Sequence, residues 1–473
     1  MNKIKILSLL SLLLFFIASC DKGFEDINKD PNNPTEIESG LLLADIVRIS
    51  QNTLNSTFIG GDMGSCWSQQ WAKVQYNGEE MYTPRGGVIS QVWDDFYEDV
   101  ASDAHTIYKL ALAEENTNMQ AVALVMKSYA FLILTDCYGD IPYSEALKGE
   151  EGITAPVYDE QSVVYDSVLV LLDKANSLFS ADGGTINVGS DLLYGGNWKK
   201  WQKFGNSLKF RALMRISGVR DVKAELQEIV SNRDVFTSAA DEAKLIYLSN
   251  DPNANPIYET IVFGTRTEFK VCEVLVNMLV ETSDPRLEVY AQENTDGEYR
   301  GKPAGIFNVP NDDYNYDNVS PIGAKYLKAE APGYFMSYPE LLFLMAEAAQ
   351  KGFITGSAQE YYSAGIAASM AANGITEWPT MTGLTLSSVS ADALKQIAEQ
   401  NWLALFCQGV EAWTEQRRTG YPVLTPAIDG VISEIPSRYT YPSTEITLNP
   451  EGYNAAIERQ GANSLTTKVW WNK

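Results

Sequence analysis

The sequence predicts a mainly α-helical protein decorated with large irregular loop insertions. Three observations carry this. Apolar residues recur at helical spacing over several long windows, strand-like alternation is sparse and short, and the segments between are rich in Gly, Pro, Asn, Asp and Tyr with no clear period.

The elements follow in order. Gly40 to Asn55 is amphipathic, and from Gln91 to Leu112 apolar residues again fall at helical spacing. Gln120 to Thr135 is strongly apolar, Ala-rich and free of Gly and Pro. It stops at Asp136-Cys137-Tyr138-Gly139-Asp140, where Gly139 can adopt the left-handed conformation that closes a helix, and Pro142 fixes the exit. Glu160 to Phe179 places Val164, Val168, Leu171, Leu172 and Ala175 on one face. Trp198 to Ile216 is basic on one side and apolar on the other. Pro339 to Gln350 and Gln359 to Ala372 form a helix pair split by Gly352, and Ala391 to Arg418 reads as a last long helix. Ala346, Ala349, Ala364 and Ala368 are small where this pair must approach closely. With the pair formed by Gln120–Asp136 and Glu160–Phe179, it resembles tetratricopeptide architecture, although the full consensus is absent and a generic helical domain fits the same text. Gly60 to Gly87 is polar, aromatic and Gly-containing, Asp296 to Ser337 is loop-rich, and the chain after Tyr421 is turn-rich.

The N-terminus has its own logic. Lys3 and Lys5 precede an apolar run from Ile6 to Ile17, shorter than the roughly 20 residues that a membrane span needs. The run closes on Ile17-Ala18-Ser19-Cys20, small residues before a thiol that can accept a lipid. Cys20 is therefore the expected acylated N-terminus of the mature protein, with an ordinary signal peptide and an incidental Cys as the alternative. No other stretch reads as long and apolar enough to cross a membrane. The expected division is 1–19 signal peptide, 20–39 lipidated tether and 40–473 one helical domain, with loop-rich insertions at about 60–87 and 296–337.

A net charge of −25 argues against nucleic acid and against basic contact with anionic lipid, and favours neutral or cationic ligands. His105 is the single histidine, which removes the usual Ser-His-Asp and Cys-His catalysts and His-based metal sites. Gly297 to Lys302 only faintly resembles a phosphate loop, since Pro303 stands where Ser or Thr is needed. No CxxC occurs. Cys137, Cys272 and Cys407 lie in apolar helical text and read as buried thiols, while the pairing of these and of Cys66 is not legible. Asp313, Asn315, Asp317 and Asn318 offer oxygens nearly as a calcium loop would, but the sixth position is not Gly and Ala324 replaces the closing Glu; a solvated loop is the alternative. Asp251 to Pro256 has the same look. No other cofactor is expected. Carboxylates are abundant, so a glycosidase pair is not excluded by counting.

The aromatic residues are more informative. Trp67 and Trp71 are four apart, so a helical turn would put them on one face, near Tyr76, Tyr82, Gln69, Gln70, Gln75 and Asn77. Flat rings beside amides suit a sugar or a peptide. The alternative is that both tryptophans are core. Tyr314, Tyr316 and Asn318 are the second choice of site.

Several motifs now line up in order. After Cys20 come Phe24-Glu25-Asp26-Ile27-Asn28-Lys29-Asp30-Pro31-Asn32, then Leu134-Thr135-Asp136-Cys137-Tyr138-Gly139-Asp140-Ile141-Pro142-Tyr143, then Leu193-Tyr194-Gly195-Gly196-Asn197-Trp198 and Asn206-Ser207-Leu208-Lys209 through Arg215-Ile216. Tyr338-Pro339-Glu340, Ala346-Glu347-Ala348 and Glu411-Ala412-Trp413 continue, and Pro436-Ser437-Arg438-Tyr439 to Lys468-Val469-Trp470-Trp471 closes. In this the chain resembles SusD/RagB outer-membrane lipoproteins of the second SusD-like subgroup. The resemblance implies a tetratricopeptide-like scaffold and a binding protein rather than an enzyme. It also implies a lipid-anchored place on the cell surface, which the early acidic residues Asp21, Glu25 and Asp26 suit. The implied partner is a SusC-like TonB-dependent transporter, over which the lipoprotein sits as a hinged lid. The implied ligand is an oligosaccharide or, in the RagB branch, a peptide. No binding residue carries over by motif. A surface glycoside hydrolase with paired carboxylates is the rival of another class.

Overall fold

The structure, a computed structural model, describes residues 39–307, 313–378 and 381–473. Cys20 and the tether lie outside the described residues. The helices of ten residues or more are α1 Ser39–Leu54, α2 Ser102–Ala113, α3 Thr117–Tyr138, α4 Gln161–Leu178, α5 Trp198–Ile216, α6 Lys223–Asn232, α7 Glu273–Thr282, α8 Tyr338–Gln350, α9 Ala358–Ala372, α10 Ser390–Ala404, α11 Gly409–Thr419 and α12 Pro450–Gln460. Among the described residues the strands are short and form three two-stranded antiparallel ladders. These are β1 Trp71–Lys73 with β5 Phe269–Val271, β2 Ile141–Pro142 with β3 Tyr158–Asp159, and β4 Ala243–Leu245 with β6 Gly333–Met336. The fold is mainly helical, as expected, and the two expected pairs, α3 with α4 and α8 with α9, make the most extensive contacts between elements.

Helix α3 shows why. The side chain of Asn116 accepts the amide of Met119 at 3.0 Å and starts the helix. Nearly every residue after it is buried, because α2, α4 and α5 surround it. By length and composition α3 could cross a bilayer, contrary to the sequence reading, but 94% of its apolar window is buried inside the fold. Gly139 closes it with φ +86. Its ψ of −119 lies outside the left-handed helical basin, and a Cβ there would overlap the side chain of Gln460.

Two expectations about close approach are corrected. In the α8–α9 pair, Ala346 is buried at the contact as expected, but Ala364 is exposed, and the small residue of α9 that meets α8 is Gly365, where a Cβ would come within 2.8 Å of the Phe343 ring. The helix read as continuous from Ala391 to Arg418 is two helices. Cys407, between α10 and α11, has φ +64, and Gly409 opens α11 against another backbone. A Cβ on Gly409 would stand 1.9 Å from the carbonyl oxygen of Gly60. A Cβ on Gly64 would stand 2.5 Å from the backbone of Gly409.

That second backbone belongs to a π-helix, Thr57–Ser65, buried along all but Phe58. Of the segment 60–87, expected as a loop-rich insertion, 66–85 is turn and irregular chain apart from β1, but the first six residues are helical. Gly60, Gly61 and Gly64 let the π-helix press on Leu54, on the Trp71 ring and on Gly409. The described residues of the insertion at 296–337 are irregular, as expected, until β6. Cys66, Cys137 and Cys272 are buried free thiols, whereas Cys407, expected to be buried, is half-buried.

Gly409→Ala should therefore be costly, since neither facing backbone can move away cheaply. A loss of at least about 2–4 kcal/mol is expected, read as a lower urea midpoint with an unchanged denaturant slope.

Candidate functional site

The β1–β5 ladder builds the site. Trp71 pairs with Val271, Ala72 with Lys270 and Lys73 with Phe269, and the amide of Val74 extends the ladder to the carbonyl of Glu268 at 3.0 Å. The chain leaving β1 (Gln75, Tyr76) is thus held beside the chain entering β5 (Thr265 to Glu268). The insertion supplies a third wall: Val271 takes the Ser320 carbonyl, and Lys270 Nζ donates to the Tyr316 carbonyl at 2.8 Å. The π-helix supplies part of the floor through Phe58, and its Asp62 lies buried beneath the lining residue Lys73.

Between these walls lies an open cleft of about 740 Å³. Tyr76 is 62% exposed and Tyr316 38%, and Phe58 is half-buried. The rings are held. The Tyr316 hydroxyl donates to Gln75 Oε1 at 2.8 Å. The Arg266 guanidinium lies over the Tyr76 ring, 5.3 Å from its centre, and Arg85 lies over Phe58 at 4.8 Å. Each arginine is gripped by a carboxylate, Arg266 by Glu268 (Nε to Oε1, 2.7 Å) and Arg85 by Glu79. At the floor Lys73 Nζ meets Asp62 at 2.8 Å. Apolar ring faces beside fixed polar groups suit a polyhydroxylated ligand: rings cover its C–H faces, and the polar groups exchange hydrogen bonds with its hydroxyls.

The sequence-based site is only partly assembled here. Trp67 and Trp71 do not share a face. The π-helix ends at Ser65, Gln69 turns the chain with φ +57, and Trp71 starts a strand. Trp67 is 0% exposed in the larger core, where its Nε1 donates to the Glu79 carbonyl at 2.8 Å. Trp71 is 1% exposed in a second core, edge-on to Phe269. Tyr82 is also buried, its hydroxyl accepting the amide of Ala427 at 2.7 Å. These three rings support the cleft from beneath. Of the amides, Gln75 lines the cleft, while Gln69, Gln70 and Asn77 donate to the carbonyls of Thr425, Trp402 and Ile306. Tyr76 and Tyr316, drawn from the two alternative sites, meet at one cleft. Tyr314 lies beneath the Arg300 guanidinium, and Asn318 is half-buried. The reading missed Phe58, Lys73, Glu79, Arg85, Arg266 and Glu268; the alternation of Thr265-Arg266-Thr267-Glu268-Phe269-Lys270-Val271 was the available signal of a strand edge.

The calcium-like run is used locally. Asn315 Oδ1 accepts the amides of Asp317 at 2.9 Å and Asn318 at 3.1 Å, closing its own turn. Among the described residues, no three carboxylate, His or Cys groups converge as metal ligands.

A profile of a SusD-like family, described as starch-binding and associating with the outer membrane, matches residues 31–442. Among solved structures, a chitin-binding protein is 26% identical with a TM-score of 0.80, covering 92% of this chain and 100% of its own. A SusD homologue from Bacteroides fragilis is 25% identical with a TM-score of 0.75, covering 93% and 100%. A chitin-binding SusD homologue from Flavobacterium johnsoniae is 24% identical with a TM-score of 0.79, covering 92% and 98%. No curated protein matches the chain.

The floor of the cleft has a pH signature. Burial pushes the Asp62 carboxyl up to about 7, against the opposing charge of Lys73. An unfolded Asp ionises near its ordinary value of 3.8, so between about pH 4 and 7 the folded chain holds a proton that the unfolded chain has lost. Asp62 therefore lowers stability as pH rises through that window, by at most about 1.4 kcal/mol per pH unit. Asp62→Asn should remove this slope, whatever it costs overall by leaving Lys73 unpaired. Urea titrations of both proteins across pH 4.5–7.5 check it, and an unchanged slope in the variant would refute the assignment.

Proposed function

We propose, because this chain belongs to the SusD-like family of starch-binding, outer-membrane-associated proteins, that it captures oligosaccharide at the cell surface and delivers it to a partner TonB-dependent transporter. The observation that carries the ligand class is the open cleft of about 740 Å³ with Tyr76, Tyr316 and Phe58 held at its walls. The chitin-binding relative of the same fold favours a glycan over a peptide. In this reading residues 1–19 are removed, Cys20 carries the lipid, 20–39 is the tether and 40–473 is one binding domain.

The protein binds and releases its ligand without turning it over. Two carboxylates, Glu79 and Glu268, do share the cleft, as a glycosidase would require. Their side chains are 7% and 3% exposed and each is engaged by an arginine, so neither is presented to a glycosidic bond.

Tyr76→Ala and Tyr316→Ala should each weaken binding of maltohexaose or chitohexaose about tenfold, with little change in thermal midpoint. One exposed ring contributes about 1–2 kcal/mol to such a contact. Trp71→Ala should do the reverse and cost about 3–5 kcal/mol of stability. Calorimetry and thermal melts on the three variants read both quantities. Binding of peptides alone, or steady hydrolysis of the glycan, would contradict the proposal.

Cys20→Ser should abolish lipidation and release the protein from the membrane, since stable anchoring needs more than one acyl chain. Fractionation and surface proteolysis of cells carrying the variant test this. Co-purification of the wild-type protein with a large β-barrel after gentle detergent extraction tests the partner.

A further inference from the structure

The charges of the cleft are matched in number. Lys73 meets Asp62, which lies buried beneath it, Arg85 meets Glu79 and comes within 3.9 Å of Asp62, and Arg266 meets Glu268, so the three cations lining the cleft are balanced by two lining carboxylates and one beneath them. The two arginines also repeat one construction. In each, an aromatic ring at the cleft (Phe58 or Tyr76) lies under a guanidinium, and that guanidinium is tied to a nearly buried glutamate. The guanidiniums are the reachable partners, with the Arg85 and Arg266 side chains 57% and 40% exposed against 7% and 3% for the glutamates. An anionic ligand approaching them would compete with a carboxylate already in place, on a molecule whose net charge is −25. A cationic ligand would find both glutamates covered by arginine.

From this we infer that Glu79 and Glu268 are specificity determinants that hold the cleft electrically neutral and restrict it to uncharged glycans. The inference rests on the glycan-capture reading and adds to it the charge class of the ligand. Neither glutamate needs to touch the sugar. Each acts through its arginine, which it both neutralises and fixes on the ring that the sugar covers.

The test uses hexasaccharides of three classes, maltohexaose and chitohexaose (neutral), hexagalacturonate (acidic) and an N,N,N-trimethylglucosamine hexamer (permanently cationic), by calorimetry at pH 8, where Asp62 is ionised, and at two salt concentrations. The wild-type protein should prefer a neutral hexamer, with an affinity nearly independent of salt. Glu268→Gln leaves Arg266 uncompensated and should strengthen hexagalacturonate binding about fivefold, with new salt sensitivity. Arg266→Gln, at a half-exposed position that tolerates change, should shift preference the opposite way, toward the cationic hexamer. A merely structural role for Glu268 would lower binding of all three classes alike and would leave no salt dependence. Wild-type preference for hexagalacturonate overturns the inference while leaving glycan capture intact. Failure to bind any hexamer overturns the capture reading itself, and this inference with it.

Discussion

One buried carboxylate, that of Asp136 at the end of α3, ties four elements together. Its Oδ1 accepts the Tyr165 hydroxyl of α4 at 2.5 Å and the Trp471 Nε1 of the C-terminal segment at 2.9 Å, and its Oδ2 pairs with Arg215 of α5 at 3.3 Å. The Asp136 carbonyl accepts Arg417 of α11 at 3.0 Å. From Arg215 the network passes to Glu411 and Glu415 on α11, from Glu415 to Arg418, and from Arg418 to Glu347 on α8. Arg211, one turn before Arg215, clamps Glu340 of α8 through two nitrogens at 2.5 and 2.7 Å. Burial pushes the Glu347 carboxyl up, yet Arg418 and Lys351 outweigh it and hold it at about 2. Charges buried this deeply cost several kcal/mol each unless matched, so the helices can pack only in the arrangement that matches them all. The network therefore sets which helix lies beside which, a choice that apolar stripes alone leave loose.

The cleft is joined to that network through one backbone contact. Helix α11 carries Glu411, Glu415, Arg417 and Arg418, and its first residue, Gly409, lies on the π-helix between Gly60 and Ser65. The other side of the π-helix presents Phe58 to the cleft and sets Asp62 beneath Lys73. Trp67, just beyond it, stacks its edge on Trp413 of α11 at 5.4 Å and fixes the Glu79 carbonyl. Position therefore passes from buried charges to α11, to a glycine-lined helix, and then to the Phe58 ring that faces a ligand. Only the last of these steps lies at the surface.

This order of construction explains what was legible in the sequence. Long helices such as α4 and α5 declare themselves by period, and Trp198 to Ile216 has the bounds that the pattern gave. The motif Leu134 to Tyr143 could be placed at a helix end because Gly139 has a local conformational role. The start of segment 60–87 could not be read, because Gly60 and Gly64 serve a contact with Gly409, more than 300 positions away. Local text cannot tell a glycine that turns from one that lets two backbones touch. The Trp67–Trp71 pair failed for a related reason. A four-residue spacing means a shared face only while the helix continues, and the turn at Gln69 sends the two rings into different cores. Tyr76 and Tyr316 were each visible as aromatic residues in polar text. That they meet depends on the β5 ladder, which brings residues 241 positions apart within the 2.8 Å of the Tyr316–Gln75 bond.

The motifs that carried the family resemblance fall on the network and not on the cleft. Asp136, Arg211, Arg215, Glu340, Glu347 and Glu411 all lie in or beside them, whereas Phe58, Tyr76, Arg85, Arg266, Glu268 and Tyr316 lie in none. The energetics accounts for the division. Removing one member of a buried, mutually satisfied charge set strands its partners and costs about 3–5 kcal/mol, a large share of a domain's total stability. Replacing an exposed rim residue such as Tyr76 usually changes stability by less than about 0.5 kcal/mol. A scaffold can therefore persist at 23–26% identity with TM-scores near 0.8 while its rim is rewritten. It follows that family membership speaks to the frame, and that the ligand has to be read from the few exposed rings and matched charges that the frame holds in place.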